Sequence, residues 1–263
     1  MELNFYKYQG AGNDFILVDD RSEQFDLNNH EGIHFLCDRR FGVGADGLML
    51  LRNSKENDFE MIYYNSDGHQ GSMCGNGGRC IVAFAKDLDL VGLETTFNAI
   101  DGKHYASISS QNDAYWVKLG MNDVAKIEVI GSDLYMNTGS PHYVINQKEL
   151  SAANIVELGR SIRFNDRFSS ERTNVNFVEV VGENHIAVRT YERGVEDETL
   201  ACGTGVTAAA IYANYTGLIE GNNINIDALG GRLRVSFMAD KGKYSDVVLE
   251  GPAKFVFKGT IHV

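Results

Sequence analysis

The sequence predicts a mixed α/β fold of the α+β kind. It comprises two pseudo-symmetric domains, each a mostly antiparallel sheet wrapped around one central helix, with the active site in the interdomain cleft. Three observations lead to this. Two Cys-Gly-x-Gly turns, at Cys74 and Cys202, stand 202 − 74 = 128 residues apart, close to half of the 263-residue chain. Each turn opens a helical run that is apolar on most sides, and such a helix is buried. Around each run lie many short strand-like segments bounded by glycine turns.

In chain order, residues 3–19 read as strand, glycine turn, strand, with Gly10-Ala11-Gly12-Asn13-Asp14 between Phe5-Tyr6-Lys7-Tyr8 and Phe15-Ile16-Leu17-Val18. Residues 29–40 read as a helix with Ile33, Leu36 and Cys37 on one face. Strands are expected at 48–51 and 59–64. The first Cys helix follows, carrying Ile81, Phe84, Ala85 and Leu88 and ending near residue 89. Short strands are expected at 95–97, 105–108 and 115–119. The second half repeats the style, with strands at 134–137, 142–145, 176–181 and 185–190 and a helix over 149–160. The second Cys helix carries Val206, Ala209, Ala210 and Ala213. Strands recur at 224–226, 233–237, 247–249 and 255–257. The domains divide near Val117, giving 1–117 and 118–253, although no linker composition marks the boundary.

The totals narrow the function classes. Apolar residues at 43% and charged residues at 23% are ordinary for a globular protein. Gly at 28 and Pro at 2 mean that the turns rely on glycine. The net charge of −12 argues against a nucleic-acid or anionic-membrane surface. It leaves a small anionic substrate open. The four cysteines, Cys37, Cys74, Cys80 and Cys202, form no Cys-x-x-Cys, so zinc-ribbon and thioredoxin readings fail. Their low density speaks against a disulfide scaffold. No apolar run approaches the roughly 20 residues of a membrane span, and the start lacks a basic segment followed by an apolar one. A reducing cytoplasm is the expected location, with no cofactor, no metal and no membrane partner.

The two Cys turns carry the chemistry. Helix N-termini present unpaired amides and a partial positive charge, so they bind carboxylates. The same field favours a thiolate over a thiol. Gly75 and Gly203 remove Cβ bulk where backbone must approach a ligand. One such site suggests a nucleophile. Two in a repeat suggest that one thiolate removes a proton from a carbon while the opposite thiol supplies one, inverting the centre. The helix amides would stabilise the charge that develops on the carboxylate. Cys37 and Cys80 sit inside helical patterns and read as core.

Other residues remain open on sequence alone. His142 either tunes a thiol or caps a loop. Glu192-Arg193 precedes the second turn and is a functional pair or a surface ion pair. Asn13, Asn65 and Asn174 stand in turn-like contexts where Asn is common for backbone reasons. Gly42-Val43-Gly44-Ala45-Asp46-Gly47 spells G-x-G-x-x-G, but no apolar strand precedes it and a strand follows where a helix should start, so it is no dinucleotide site.

Seven segments in order resemble the diaminopimelate epimerase family over nearly the whole chain. They are residues 10–15, 64–68, 73–77, Glu171-Arg172-Thr173-Asn174-Val175, Tyr191-Glu192-Arg193-Gly194, Ala201-Cys202-Gly203-Thr204-Gly205 and Gly251-Pro252-Ala253. The resemblance implies cofactor-independent, two-base epimerisation of LL-2,6-diaminopimelate to the meso form, on the lysine and peptidoglycan route. It implies that Cys74 and Cys202 are the acid/base thiols and that His142 and Glu192 tune them. It implies substrate contacts from Asn13, Asn65, Gly75, Asn76, Asn174, Glu192, Arg193, Gly203 and Thr204. It also implies a homodimer and a last strand, 254–263, that returns to the first domain. Three positions depart from the pattern. Ser140 stands where many members have Asn, Gly47 where some have Gln, and Phe257 where some have a Tyr that supports the dimer.

Two other readings compete. A proline or hydroxyproline racemase would carry His in the first Cys-Gly turn and Asp-Arg-Ser before the second; Asn76 and Glu192-Arg193 stand there instead. A non-enzymatic module that binds a carboxylate would need the helix amides but not the sulfurs.

Overall fold

A computed structural model describes residues 2–111, 114–168, 170 and 173–263. Glu171 and Arg172 of the fourth matching segment lie outside the described residues. The chain divides into two compact units, Met1–Leu119 with Gly251–Val263, and Gly120–Glu250.

In the first unit the elements run β1 (Glu2–Gly10), β2 (Asn13–Asp19), α1 (His30–Cys37), β3 (Gly47–Arg52), β4 (Phe59–Asn65), α2 (Gly75–Asp87), β5 (Glu94–Ala99), β6 (Gly102–Gln111) and β7 (Ala114–Gly120). The second unit continues with β8 (Ile127–Ile130), β9 (Asp133–Asn137), β10 (Pro141–Asn146), α3 (Ile155–Arg163), β11 (Asn174–Gly182), β12 (His185–Glu192), β13 (Asp197–Thr199), α4 (Gly203–Tyr215), β14 (Asn223–Ala228) and β15 (Gly231–Asp240). The last strand, β16 (Lys243–His262), belongs to both. Its first part pairs with β15, Arg234 opposite Glu250, and its last part pairs with β1, Glu2 opposite His262.

The two units share one pairing scheme. In the first, β1 and β2 are antiparallel, β2 and β3 parallel, β3 and β4 antiparallel, β4 and β5 parallel, and β5 and β6 antiparallel. In the second, β9, β10, β11, β12, β14 and β15 repeat that sequence of senses. Each parallel pair needs a crossover, and helices supply all four: α1 and α2 in one unit, α3 and α4 in the other.

Hydrophobic patterning explains the layers. The runs Phe15-Ile16-Leu17-Val18 and Leu48-Met49-Leu50-Leu51 are buried throughout, as strands covered on both faces must be. Ile16, Val18, Leu48 and Leu50 join Ile33 and Leu36 of α1 in one cluster. Alternate residues point the other way: the Met49 side chain lies over Gly77, and the Tyr6 and Tyr8 rings meet Phe84. Helix α2 is therefore the core of its unit, buried from Gly75 to Ala85. Helix α4 is buried in the same way from Gly203 to Ala213. Removing one such fully buried Leu or Ile side chain from water contributes about 1.5–3 kcal/mol.

Three expectations need correction. The helix expected over 29–40 stops at Cys37, because Asp38 turns to extended backbone and its carboxylate accepts the amides of Arg40 and Phe41. The helix expected over 149–160 is two pieces: a 3-10 turn, Leu150–Ala152, and then α3. Asn154 separates them and caps the amide of Glu157. The strands expected at 247–249 and 255–257 are parts of the single strand β16.

Candidate active site

Each sulfur is placed by the same local device. Cys74 is the N-cap of α2 with φ −111° and ψ 115°, and Cys202 is the N-cap of α4 with φ −114° and ψ 113°. Both helices have 13 residues. The second glycine of each turn lies directly against a packed neighbour. A Cβ on Gly77 would meet Met49 Cε at 2.1 Å, and one on Gly205 would meet Asn176 Oδ1 at 2.4 Å.

In the first unit the Gly77 amide donates to Cys74 Sγ at 3.4 Å, and Asn13 Oδ1 lies 3.8 Å from the same sulfur. Asn76 Nδ2 donates to Asn13 Oδ1 at 3.2 Å, and Asn13 Nδ2 donates to Asp46. A two-residue turn, Ala11-Gly12, with positive φ at both positions, brings Asn13 to the head of β2. Cys74, Asn13 and Asn76 thus form one connected group. Asn65 closes β4, exposed, opposite Gly47. A Cβ on Gly47 would meet the Tyr63 ring and the Tyr64 carbonyl at 2.5 Å, so the ring fills the space that a longer residue there would need.

The second unit supports its sulfur differently. Cys202 Sγ lies 3.5 Å from Thr204 Oγ1, and Thr204 Oγ1 lies 2.9 Å from His142 Nε2. His142 is fully buried. Burial, aided by the nearby Arg193 charge and opposed by the Asn176 hydrogen bond, pulls its pKa down to about 3, so the ring is neutral at ordinary pH. With Asn176 Nδ2 donating to His142 Nδ1, the proton sits on Nε2 and is donated to Thr204. The Thr204 hydroxyl then has its own proton to offer the sulfur. Thr138 Oγ1 donates to the Thr204 carbonyl at 2.8 Å, and the Thr138 amide is bonded to the carbonyl of Ser140. Asn174 Oδ1 accepts the Arg193 amide at 2.9 Å, and its Nδ2 donates to the Pro141 carbonyl. Glu192 ends β12, half-buried, its carbonyl accepting the Glu196 amide.

Sequence reasoning missed Asn176, Thr190 and Arg79. Thr190 Oγ1 donates to Asn176 Oδ1 at 2.9 Å, which orients the amide that orients His142. The only sequence signal for these residues is a polar side chain at a core position of an apolar strand or helix. Cys37 and Cys80 are buried, and burial pushes both thiols up to about 12. Among the described residues no three His, Cys, Asp or Glu side chains gather in a way that would hold a metal ion. No helix among them is long and apolar enough to cross a membrane.

Comparison with known proteins adds an independent line. The sequence model of the family described as diaminopimelate epimerase matches residues 5–127 and 134–256. A diaminopimelate epimerase from Flavobacterium psychrophilum is 49% identical over 259 residues, 98% of this chain and 100% of the relative. One from Aquifex aeolicus is 39% identical, covering 98% of each chain. Among solved structures, a Bacillus anthracis phenazine biosynthesis protein of the PhzF family superposes with a TM-score of 0.78 at 14% identity, covering 100% of both chains. A hydroxyproline epimerase from Agrobacterium vitis, with bound trans-4-hydroxy-L-proline, gives 0.73 at 13% identity over 99% of this chain and 92% of that one. At such identities these two similarities show the fold alone.

Proposed function

The chain belongs to the diaminopimelate epimerase family, and on that premise we propose that it interconverts LL- and meso-2,6-diaminopimelate with Cys74 and Cys202 as the two acid/base groups and no cofactor. The observation that carries this reading is the repeated N-cap geometry: two sulfurs on matched backbone at the start of two buried helices.

The step balances without a co-reactant. One thiolate takes the α-proton, forming S–H as C–H breaks, and the electron pair moves into the carboxylate. Helix-start amides, Gly75-Asn76 and Gly203-Thr204 among them, stabilise that charge. The opposite thiol delivers its proton to the other face, leaving the inverted centre and a thiolate. Asn13, Asn65, Asn174 and Arg193 supply donors and acceptors for the distal amino-acid group, and a site built on such groups discriminates against one-ended amino acids; Glu192, with His142, tunes the thiols. His142 acts through Thr204 as a neutral hydrogen-bond donor.

A proline or hydroxyproline substrate is disfavoured by Asn76 and Glu192-Arg193. A cytoplasmic homodimer completes the reading. Phe255, Val256 and Phe257 give β16 an exposed apolar stretch, and light scattering at twice the chain mass is the expected result. Fully reduced protein mixed with LL-diaminopimelate, with the stereoisomers separated on a chiral column, tests the activity. Accumulation of the meso form supports it, and no inversion refutes it.

A further inference from the structure

Helix α2 carries a charge for which the Cys-Gly-x-Gly device has no need. Arg79 is fully buried, one turn beyond Cys74. Burying a cation is costly unless it is paired, yet among the described residues Arg79 meets no carboxylate. Its Nη2 donates to Asn76 Oδ1 at 3.0 Å, its Nη1 to the Gly75 carbonyl at 3.3 Å, and its Nε to the Pro252 carbonyl at 3.4 Å. All three partners are neutral. Asn76 passes the contact on to Asn13, beside the sulfur. At the corresponding place in the second unit, 79 + 128 = 207, stands Thr207, whose hydroxyl only returns to the Gly203 carbonyl. The repeat is therefore broken at this position by a buried cation.

We propose that Arg79 is a positioning residue for Cys74: its charge favours the Cys74 thiolate, and its hydrogen bond to Asn76 holds the polar groups around that sulfur. The inference rests on reading Cys74 as an acid/base group. Burial lowers the guanidinium to about 10, and the Cys80 and Cys74 sulfurs act to raise it, so Arg79 stays charged at neutral pH. The coupling is reciprocal: a cation that a thiolate stabilises stabilises that thiolate. Other charges near α2 are already engaged. Lys7 of β1 pairs with Asp14 of β2 at 2.7 Å, and Arg39 also pairs with Asp14 at 2.6 Å. His104 of β6 lies 2.8 Å from Asp101, and Asp46 is shared between Asn13 and Arg39. On α2 itself the Cys80 thiol remains protonated at neutral pH, and Asp87 is bonded to Tyr8 and Tyr115.

The test is the pH dependence of alkylation of Cys74 and Cys202 by iodoacetamide in the full chain, each read by peptide mass spectrometry. Arg79→Gln keeps donors but loses the charge; Arg79→Lys keeps the charge. Gln is expected to raise the midpoint for Cys74 by about one pH unit, a tenfold slower reaction below the midpoint, with Cys202 unmoved. Lys is expected to restore the midpoint to within a threefold rate of wild type. An unchanged Cys74 profile in folded Arg79→Gln overturns the proposal. If that variant does not fold, Lys decides alone: a profile like wild type supports the charge, and a raised midpoint overturns it. Failure of both to fold makes Arg79 a folding residue only and also overturns it. Alkylation needs no substrate, so this outcome is separate from the inversion assay.

Discussion

His142 Nδ1 lies 2.9 Å from Asn176 Nδ2, on the neighbouring strand. That one bond decides which imidazole nitrogen carries the proton, and hence which way the hydrogen bonds run toward Cys202. Asn176→Ala removes it and also strips Thr190 Oγ1 of its acceptor. Leaving such buried polar groups unsatisfied costs about 1–3 kcal/mol, to be read by urea unfolding. A fall in kcat with little change in KM is expected in the same variant, because the amide acts through His142 and Thr204 and does not touch substrate. Unchanged stability and kcat would contradict the relay.

The buried imidazole also makes a pH prediction. In the folded chain His142 titrates near 3, against 6.5 when free. Between those values the unfolded chain binds a proton there that the folded chain does not. Stability therefore rises with pH through this window and is lost as pH falls from 6.5 toward 3; above 6.5 the site is silent. The contribution is at most about 1.4 kcal/mol per pH unit. His142→Asn should flatten this part of the stability curve, measured by denaturant unfolding at several pH values between 4 and 7. Parallel curves for the two proteins would show that the ring is charged or exposed.

The two glycines that seat the helices should tolerate alanine unequally. The obstacle at Gly77 is the flexible end of Met49, whereas at Gly205 it is the Asn176 oxygen, already held by Thr190. Overpacking typically costs about 1–3 kcal/mol, with Gly77→Ala expected near the lower end and Gly205→Ala near the upper. Thermal melts of both variants check the order. Equal losses would contradict it.

Much of this was legible in the residues. Continuous apolar runs gave β2 and β3, and the Cys-Gly turns gave α2 and α4, because strong hydrophobic patterns outweigh local detail. The join of β16 across Gly251-Pro252 was not legible. The pairing with β15 runs to Glu250 and that with β1 starts from Lys254, so Pro252 lies between the two, where a residue without an N–H reads in sequence as a strand end. The short edge strands β8 and β13 carry too few residues to leave a period. Arg79 and Asn176 were hidden for a different reason: a polar residue in a core pattern reads as noise until its hydrogen-bond partners, 173 residues away for Arg79, are brought beside it.

The proposed two-base reaction carries a specific isotopic signature. LL-diaminopimelate is incubated with reduced protein in deuterium oxide, and substrate and product are separated early in the reaction. Two-base inversion predicts meso product with one deuterium at the inverted α-carbon and recovered substrate with none, because the abstracted proton and the delivered one sit on different sulfurs. Equal label in both pools, or product that keeps its original proton, would contradict the assignment of Cys74 and Cys202 to opposite faces of one carbon.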